Sequence, residues 1–356
     1  MRHFLLSSLF VIASSGALAQ TNVTQYKPGV TPEGVTYFLP STSLRVVLQI
    51  EKTSYNPGDF CKYSEKYLSL SGTEYEPYSS FKIISARLYT VGVPDKNKSY
   101  TIKFDPKSSA SNVKLSEEGI LLAINADVAA HSDIKPFVSA RKPEIVNPRK
   151  FLSEEILAAG SSAKMAELIA QDIYDIRESR DLLNKGQADY MPKDGEQLKI
   201  MLTNLNIKEN ALSQLFSGTI VKDTTESVIS INLDKTVSHQ VLFRFSKKIG
   251  LTEADDLAGA PYYINVEDKH NVPPVDTEAA KKLKKPEGGV YVNVPGKVKI
   301  AITSDNNSIA SGEFSAAQFG NTEVLSDKLF NKKYTTHVTL DPTTGGVLKF
   351  DAEQPK

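Results

Sequence analysis

The 356-residue sequence contains one cysteine, no tryptophan and no excess of either charge. The single cysteine, Cys61, excludes an internal disulfide, so the fold must be stabilised by its hydrophobic core. The 42 basic and 42 acidic residues balance, and a chain without a positive field is not expected to bind nucleic acid. Because Cys61 lies beside Phe60 in a predicted short helix, we expect it to be a buried structural residue rather than a nucleophile.

Long hydrophobic runs are also missing. The first residues, "MRHFLLSSLFVIASSGALAQ", combine a positive start, an apolar run from Phe4 to Ile12 and the sequence Ala17-Leu18-Ala19. This run is too short for a membrane helix, which requires about 20 apolar residues, but the pattern is typical of a secretory signal peptide. We therefore predict a signal peptide over residues 1–19 and an exported chain without a membrane span. The periplasm is the expected compartment, and a secreted or surface location is the alternative.

The usual catalytic motifs are absent. The sequence has no G-x-S-x-G elbow, no H-E-x-x-H pair and no phosphate-binding glycine loop, and its histidines are isolated. We therefore predict no metal site and no cofactor. Ser161-Ser162-Ala163-Lys164 matches the S-x-x-K pattern of serine enzymes that attack β-lactams, but Ser79–Lys82 matches it equally well and no K-T-G follows. We interpret the match as chance.

The hydrophobic periodicity divides the chain into three parts. Residues 20–145 form a β-rich part, which alternates with period 2 from Gly34 to Asn125 and is interrupted by one short helix that Asn56 and Pro57 would begin. Residues 146–218 have period 3.6 and two helices that end at Gly186 and Gly218. Residues 219–356 return to strands, with an exposed loop near 268–287. The predicted class is α+β, with two β-rich domains flanking a central antiparallel helical hairpin.

Two stretches, one in each β-rich part, have a similar sequence pattern. The stretches "EGVTYFLPSTSLRVVLQI" and "EGGVYVNVPGKVKIAIT" both consist of a strand, a proline-bearing turn and a second strand. Short amphipathic strands resemble one another easily, so the sequence leaves open whether the two domains are related.

Two charges interrupt the apolar stripe of the first long helix. Asp172 and Arg180 project into this stripe, and a buried charge is costly unless it is paired. Counting outward from the loop near Tyr190 places Asp172 level with Lys208, so we expect these two to pair across the hairpin. For Arg180 the same count finds no acid, so we expect its partner in a β-rich domain. A catalytic role for these charges is the alternative.

Tyrosines are the candidate binding residues. Tyr75, Tyr78, Tyr262 and Tyr263 combine a flat apolar ring with a polar tip, which suits a sugar or a protein partner. Tyr262 and Tyr263 are consecutive in a predicted strand and point to opposite faces, so we expect at most one of them to be exposed.

Several stretches have a familiar combination of motifs, namely "GVTPEGVTYFLPSTSLRVV", "EEILAAGSSAKMAELIAQDIYDIRESR", "MPKDGEQLK", "DDLAGAPYYI", "GGVYVNVPGK" and "AAQFGNTEVLSDKLFNKKYTTH". The chain resembles an uncharacterised family of exported proteins, a domain of unknown function, from Bacteroides-type Gram-negative bacteria. The resemblance implies a cell-envelope location and a three-part organisation, and it implies no activity. Bacteria of this type attach O-glycans at Asp-Ser/Thr sequences, and Asp223-Thr224-Thr225 resembles that acceptor. Thr224 is therefore a candidate O-glycosylation site in an expected exposed turn.

A patterned fold without a recognisable catalytic set favours a non-catalytic binding or scaffold protein of the envelope. Its expected partner is an envelope protein or a glycan. The alternative is an envelope hydrolase that acts on glycan or peptide through carboxylates brought together from separate segments.

We expect a Gram-negative host that expresses the full chain to export it and to remove residues 1–19, because Ala17 and Ala19 present small side chains to signal peptidase. Intact-mass measurement of the periplasmic protein should then give a chain that begins at Gln20. Ala19→Arg should block cleavage and leave the precursor. A wild-type chain that keeps Met1 and stays in the cytoplasm would contradict the prediction.

Overall fold

The computed structural model describes residues 22–25, 34–103, 112–128, 137–139, 146–274, 289–305, 307–330 and 335–353. The predicted signal peptide and most of the predicted loop at 268–287 lie outside the described residues. Strands predominate, and the two long helices lie between residues 162 and 217, which confirms the α+β class.

The strands and helices of the described residues have the following bounds. The strands are β1 (Asn22–Gln25), β2 (Val35–Asn56), β3 (Tyr78–Lys103), β4 (Val113–Leu115), β5 (Leu121–Ile124), β6 (Thr219–Asn232), β7 (Val237–Ser246), β8 (Gly250–Thr252), β9 (Ala260–Asp268), β10 (Gly289–Ser304), β11 (Asn307–Ser326), β12 (Thr335–Leu340) and β13 (Val347–Glu353). The helices are α1 (Ser64–Leu68), α2 (Glu154–Leu157), α3 (Ser162–Lys185) and α4 (Gly195–Ser217), with short 3-10 helices at Cys61–Tyr63, Pro148–Phe151 and Asp327–Phe330.

The described strands form three antiparallel sheets. The first sheet has the order β1-β3-β2-β6, the second β11-β10-β9-β7-β8 and the third β13-β12-β5-β4. Strand β6 follows the helices in sequence, yet it pairs with β2 from Ser43 to Asn56, and β12 pairs with β5. The predicted boundary at residue 218 therefore does not separate two sheets. The alternation of apolar and polar residues shows which face of a strand is buried but not which strand lies beside it. Backbone hydrogen bonds have the same geometry whatever the sequence separation of the two strands that they join.

Among the described residues, three hydrophobic clusters stabilise the fold. The first lies between the first and second sheets, where Leu44, Val46 and Leu48 of β2 pack with Val298 and Ile300 of β10. A second cluster packs the beginning of β2 and β10 against the third sheet and includes Tyr37, Leu39, Val290, Val292 and Val338. The third joins the helices and includes Ile169, Ile173, Leu212 and Phe216. Strand β2 therefore contributes to both sheet clusters.

The two stretches of similar sequence, which contain the starts of β2 and β10, begin with the same backbone feature. Gly34 precedes β2 with φ +137° and Gly289 begins β10 with φ +146°, conformations that favour glycine. A Cβ at Gly34 would lie 2.4 Å from the carbonyl oxygen of Ile102, and one at Gly289 would lie 2.3 Å from that of Leu325. Each long hairpin also has a register shift at its proline, next to Pro40 and Pro295. The two stretches of similar sequence therefore share a local backbone geometry.

The helical region differs in detail from the predicted caps. Asn56 is the last residue of β2 and pairs with Thr219, so it does not begin a helix. The short helix starts only at Cys61, which is 7% exposed. Ser153 caps α2, and Ser161 caps α3 with its side-chain oxygen bonded to the Lys164 N–H. The S-x-x-K match is therefore a helix cap.

A buried asparagine connects the long strands to the turn before β13. Asn293 is 1% exposed, and its Nδ2 donates to the carbonyl oxygens of Pro40 at 3.0 Å and Thr344 at 2.8 Å. Its Oδ1 accepts from Thr322 Oγ1 at 3.3 Å. Since a buried polar group is tolerated only when it is bonded, these three contacts fix β2, β11 and the turn to one position of β10.

We expect Asn293→Ala to lower the free energy of unfolding by about 3 kcal/mol, because it leaves two buried carbonyl oxygens without donors. Urea denaturation followed by circular dichroism measures this. Asn97→Ala, at an exposed position of β3, is the matched control and should change stability by less than about 0.5 kcal/mol. Equal effects of the two substitutions would contradict the role given to Asn293.

Candidate functional site

The candidate site is a groove at the open end of the interface between the first and second sheets. We call it the aromatic groove and define it by its lining residues, Glu51, Thr53, Ser80, Phe81, Lys82, Ile83, Phe245, Lys247 and Tyr262. They come from β2, β3, β7, β9 and the turn after β7. The groove has a volume of about 400 Å³, which is enough for a small ligand or a short segment of a polymer.

Phe81, Phe245 and Tyr262 give the groove its aromatic character. All three are partly buried and pack against the cluster between the two sheets. The N–H of Phe81 donates to the carbonyl oxygen of Lys247 at 2.8 Å, a contact that connects the first sheet to the second. The Tyr262 ring stacks on Phe243 with centroids 4.7 Å apart and meets Phe245 edge-on at 6.4 Å. The core therefore holds the aromatic rings in fixed orientations.

The charged rim of the groove is mainly positive. Lys82 and Lys247 are exposed, and neither forms an ion pair within the described residues. Lys52 Nζ lies 5.6 Å from the centroid of the Phe81 ring. The one lining carboxylate, Glu51, accepts a hydrogen bond from Lys222 at 3.1 Å. Since Lys222 compensates Glu51, the lysines give the rim a positive character that attracts anionic groups.

The structure separates the four predicted tyrosines. Tyr262 lines the groove, whereas Tyr263 stacks on His239 with centroids 3.7 Å apart. Both of these are half-buried. Tyr75 and Tyr78 are 58% and 46% exposed, but neither lines the groove, and Tyr78 stacks on Tyr55 at 5.2 Å. The predicted set therefore does not form one site.

Sequence reasoning missed most residues of the groove. Phe81 and Phe245 alternate like ordinary core residues, and Lys247 follows its strand as a turn residue would. The signal that could have found them is the series of aromatic residues at alternate positions of β7 and at the start of β3. It becomes a site only where the two strands converge.

The helices contain a network of charges. Lys208 Nζ lies 3.0 Å from Asp172 Oδ1, so the structure brings these two predicted residues together. The sequence predicted an acidic partner for Arg180 in a β-rich domain, and that prediction is wrong. Arg180 donates to Glu209 on α4 and to Asn206 Oδ1 at 2.9 Å. Arg177 Nε donates to the other oxygen of Glu209 at 2.7 Å, so one carboxylate holds two arginines.

The incorrect partner of Arg180 has a geometric cause. Counting equal distances from Tyr190 placed Arg180 level with Ile200, and Glu209 is two and a half turns further along α4. The contacts of Arg177 and Arg180 with Glu209 show that the two helices are offset along their axes from the register that equal counting assumes. Both oxygens of Glu209 are engaged by guanidinium groups, an arrangement of charge-assisted hydrogen bonds that stabilises the contact between the two helices.

Thr224 also lies elsewhere than expected. It is in the middle of β6, paired with Glu51 of β2, and not in an exposed turn. It is half-buried, whereas the next residue, Thr225, is exposed. Alternating residues after Gly218 continue directly into a strand, so no turn forms at the acceptor-like sequence.

Within the described ranges, no group of three or more His, Cys, Asp or Glu side chains is arranged to hold a metal ion. No helix in this part of the chain has both the length and the hydrophobicity needed to cross a bilayer.

These features define an α+β protein whose described strands form three antiparallel sheets, with an aromatic groove whose rim is positive. Residues 33–348 match the family described as a domain of unknown function (DUF4831), and the chain belongs to that family. No curated protein and no solved structure matches the chain. The predicted membership of an uncharacterised family is confirmed, whereas the bacterial lineage and export stay predictions.

We expect Glu209→Ala to lower the free energy of unfolding by about 2 kcal/mol, since it leaves two partly buried guanidinium groups without a carboxylate. Arg180→Ala should cost less, because Arg177 still pairs with Glu209. Thermal unfolding of the purified protein compares the two. Glu178→Ala, at an exposed position of α3, serves as the control and should be nearly neutral. A neutral Glu209→Ala would show that the network contributes nothing to stability.

Proposed function

We propose that the protein is an exported cell-envelope protein that binds a glycan without catalysis and that the aromatic groove is its binding site. The single observation that carries this proposal is the convergence of Phe81, Phe245 and Tyr262 in one groove with two lysines that form no ion pair among the described residues. The signal-peptide pattern and the family resemblance support the envelope location. The central helices would act as the scaffold, held by the Glu209 network.

The chemistry of the groove suits a sugar chain. Aromatic rings offer flat apolar surfaces to the C–H faces of a pyranose, and Tyr262 adds a polar tip. Thr53 and Ser80 line the same groove and supply hydroxyl groups for hydrogen bonds. Lys82 and Lys247 favour a glycan that carries carboxylate or sulfate groups, because their charge attracts anions.

An envelope hydrolase is the second candidate. The observation that favours it is an open cleft on the third sheet, where Asp127, Asp351, Glu353 and His337 line the same space. Glycoside hydrolysis requires two carboxylates held on opposite sides of the scissile bond. Asp127 is engaged by Lys114, and His337 by the carbonyl oxygen of Asn125. Because two of these groups already have partners, we favour binding over hydrolysis.

Isothermal titration calorimetry with purified acidic and neutral envelope glycans tests the proposal. We expect an acidic glycan to bind, and we expect Lys247→Ala to weaken its affinity about tenfold because a charge contact is lost. Tyr262→Leu should weaken binding as strongly, since the stacking surface is removed. The recovered glycan should be intact, whereas cleaved products would support the hydrolase.

Two neighbouring positions provide matched controls. Lys248→Ala removes an exposed lysine that does not line the groove and should leave the affinity unchanged. Tyr263→Leu alters the adjacent tyrosine on the other face and should do the same. Circular dichroism must show that all variants are folded. Binding that is insensitive to Lys247 and Tyr262, or no binding of any glycan tested, would refute the assignment of the groove.

A further inference from the structure

Strand β13 is an edge of the third sheet, and no other described strand covers it. In the order β13-β12-β5-β4 it has β12 as its one neighbour among the described strands. All seven of its residues are exposed. An edge strand of this kind presents free backbone N–H and C=O groups that can pair with another strand, and proteins usually protect such edges with charged side chains, proline or bulges. β13 has one register shift, between Val347 and Lys349, and beyond it the strand is regular and contains Lys349, Asp351 and Glu353 but no proline.

Phe350 of β13 lies on the face of the third sheet that packs against the core, but the core does not fully cover it. Phe350 lies opposite Val338 of β12, and Val338 is fully buried in the second hydrophobic cluster. Opposite residues in an antiparallel pair share a face, so Phe350 belongs to the core face of the sheet. It is nevertheless 45% exposed, because no described strand continues the sheet past it. One additional strand with an apolar residue opposite Phe350 would cover this surface.

The charges of β13 are self-complementary. If two copies of the strand pair antiparallel with Phe350 opposite Phe350, Lys349 of each copy lies opposite Asp351 of the other. A shift of two residues in one direction places Lys349 opposite Lys349, and in the other direction Asp351 opposite Asp351. A shift of one residue places a charge opposite Phe350. Like charges directly opposite each other are destabilising, and a one-residue slip exchanges the faces, so only the centred register is favourable.

We propose that the protein forms a two-fold symmetric homodimer by antiparallel pairing of β13 with β13, centred on Phe350. The partner that the edge fits is therefore a second copy of this chain. The pairing joins two four-stranded sheets into one of eight strands, with each strand satisfying the free backbone groups of the other. Neither Lys349 nor Asp351 forms an ion pair in the described part of the chain, so both are available. Because the contact is a single strand pair, we expect reversible, concentration-dependent association.

Sedimentation velocity of the full mature chain over a concentration series tests the proposal. The wild type should shift from monomer to dimer as concentration rises. Lys349→Asp and Asp351→Lys each place two like-charged pairs in the interface, so each variant should self-associate at least about tenfold more weakly. Both positions are exposed, and unchanged melting temperatures will show that the variants are folded. Glu118→Lys, in an exposed turn away from β13, is the charge-reversal control and should dimerise as the wild type does.

The two variants can also rescue each other. An equimolar mixture of Lys349→Asp and Asp351→Lys places two acids opposite two lysines in the centred register, so heterodimers should form at wild-type strength. A dimer sensitive to these residues but not rescued on mixing would overturn the two-fold register. A wild type that stays monomeric throughout the series, or single variants that dimerise normally, would overturn the proposal.

Discussion

Strand β2 is the element on which the rest of the structure depends. It pairs with β3 on one side and β6 on the other, so its backbone hydrogen bonds are satisfied from both directions along most of its length. Its first residues, Tyr37 and Leu39, pack against the third sheet, and its later ones against the second sheet. At its far end, the Tyr55 hydroxyl oxygen lies 3.1 Å from the carbonyl oxygen of Ser217 at the end of α4. One continuous strand thus fixes three sheets and the helices relative to one another.

Polar contacts are concentrated where β2 crosses the long β10–β11 hairpin. Thr42 is fully buried, and the side-chain amide of Gln318 bonds both its N–H and its carbonyl oxygen at 2.9 Å. The Tyr37 hydroxyl accepts from the Tyr291 N–H and donates to the Tyr291 carbonyl oxygen. Burial raises the pKa of Tyr37 far above its ordinary value, so the hydroxyl stays protonated and keeps both bonds. The register shifts at Pro40 and Pro295 interrupt the ladder of backbone hydrogen bonds. The side chains of Gln318 and Tyr37 bond to backbone groups near these interruptions.

The two surfaces proposed as functional arise from the margins of this arrangement. The aromatic groove forms where the first and second sheets separate beyond the shared core, so its rings are supported on one side and accessible on the other. Strand β13 is the edge strand of the third sheet, where the apolar face of the sheet extends past the residues that cover it. The groove and the edge contain different residues, so ligand binding and self-association can be tested independently.

The sequence by itself determined the local properties of this protein. Alternation with period 2 and period 3.6 identified the strands and the two long helices, glycine marked the ends of α3 and α4 at Gly186 and Gly218, and the stripe of α3 indicated that Asp172 faces α4. These features depend on residues within a few positions of one another. The partners of β6 and β12, the binding of Arg180 to Glu209, and the convergence of Phe81, Phe245 and Lys247 were decided by the tertiary structure. The physical reason is that strand pairing and side-chain packing depend on distances in space, and a one-dimensional pattern specifies which face is apolar but not which surface covers it.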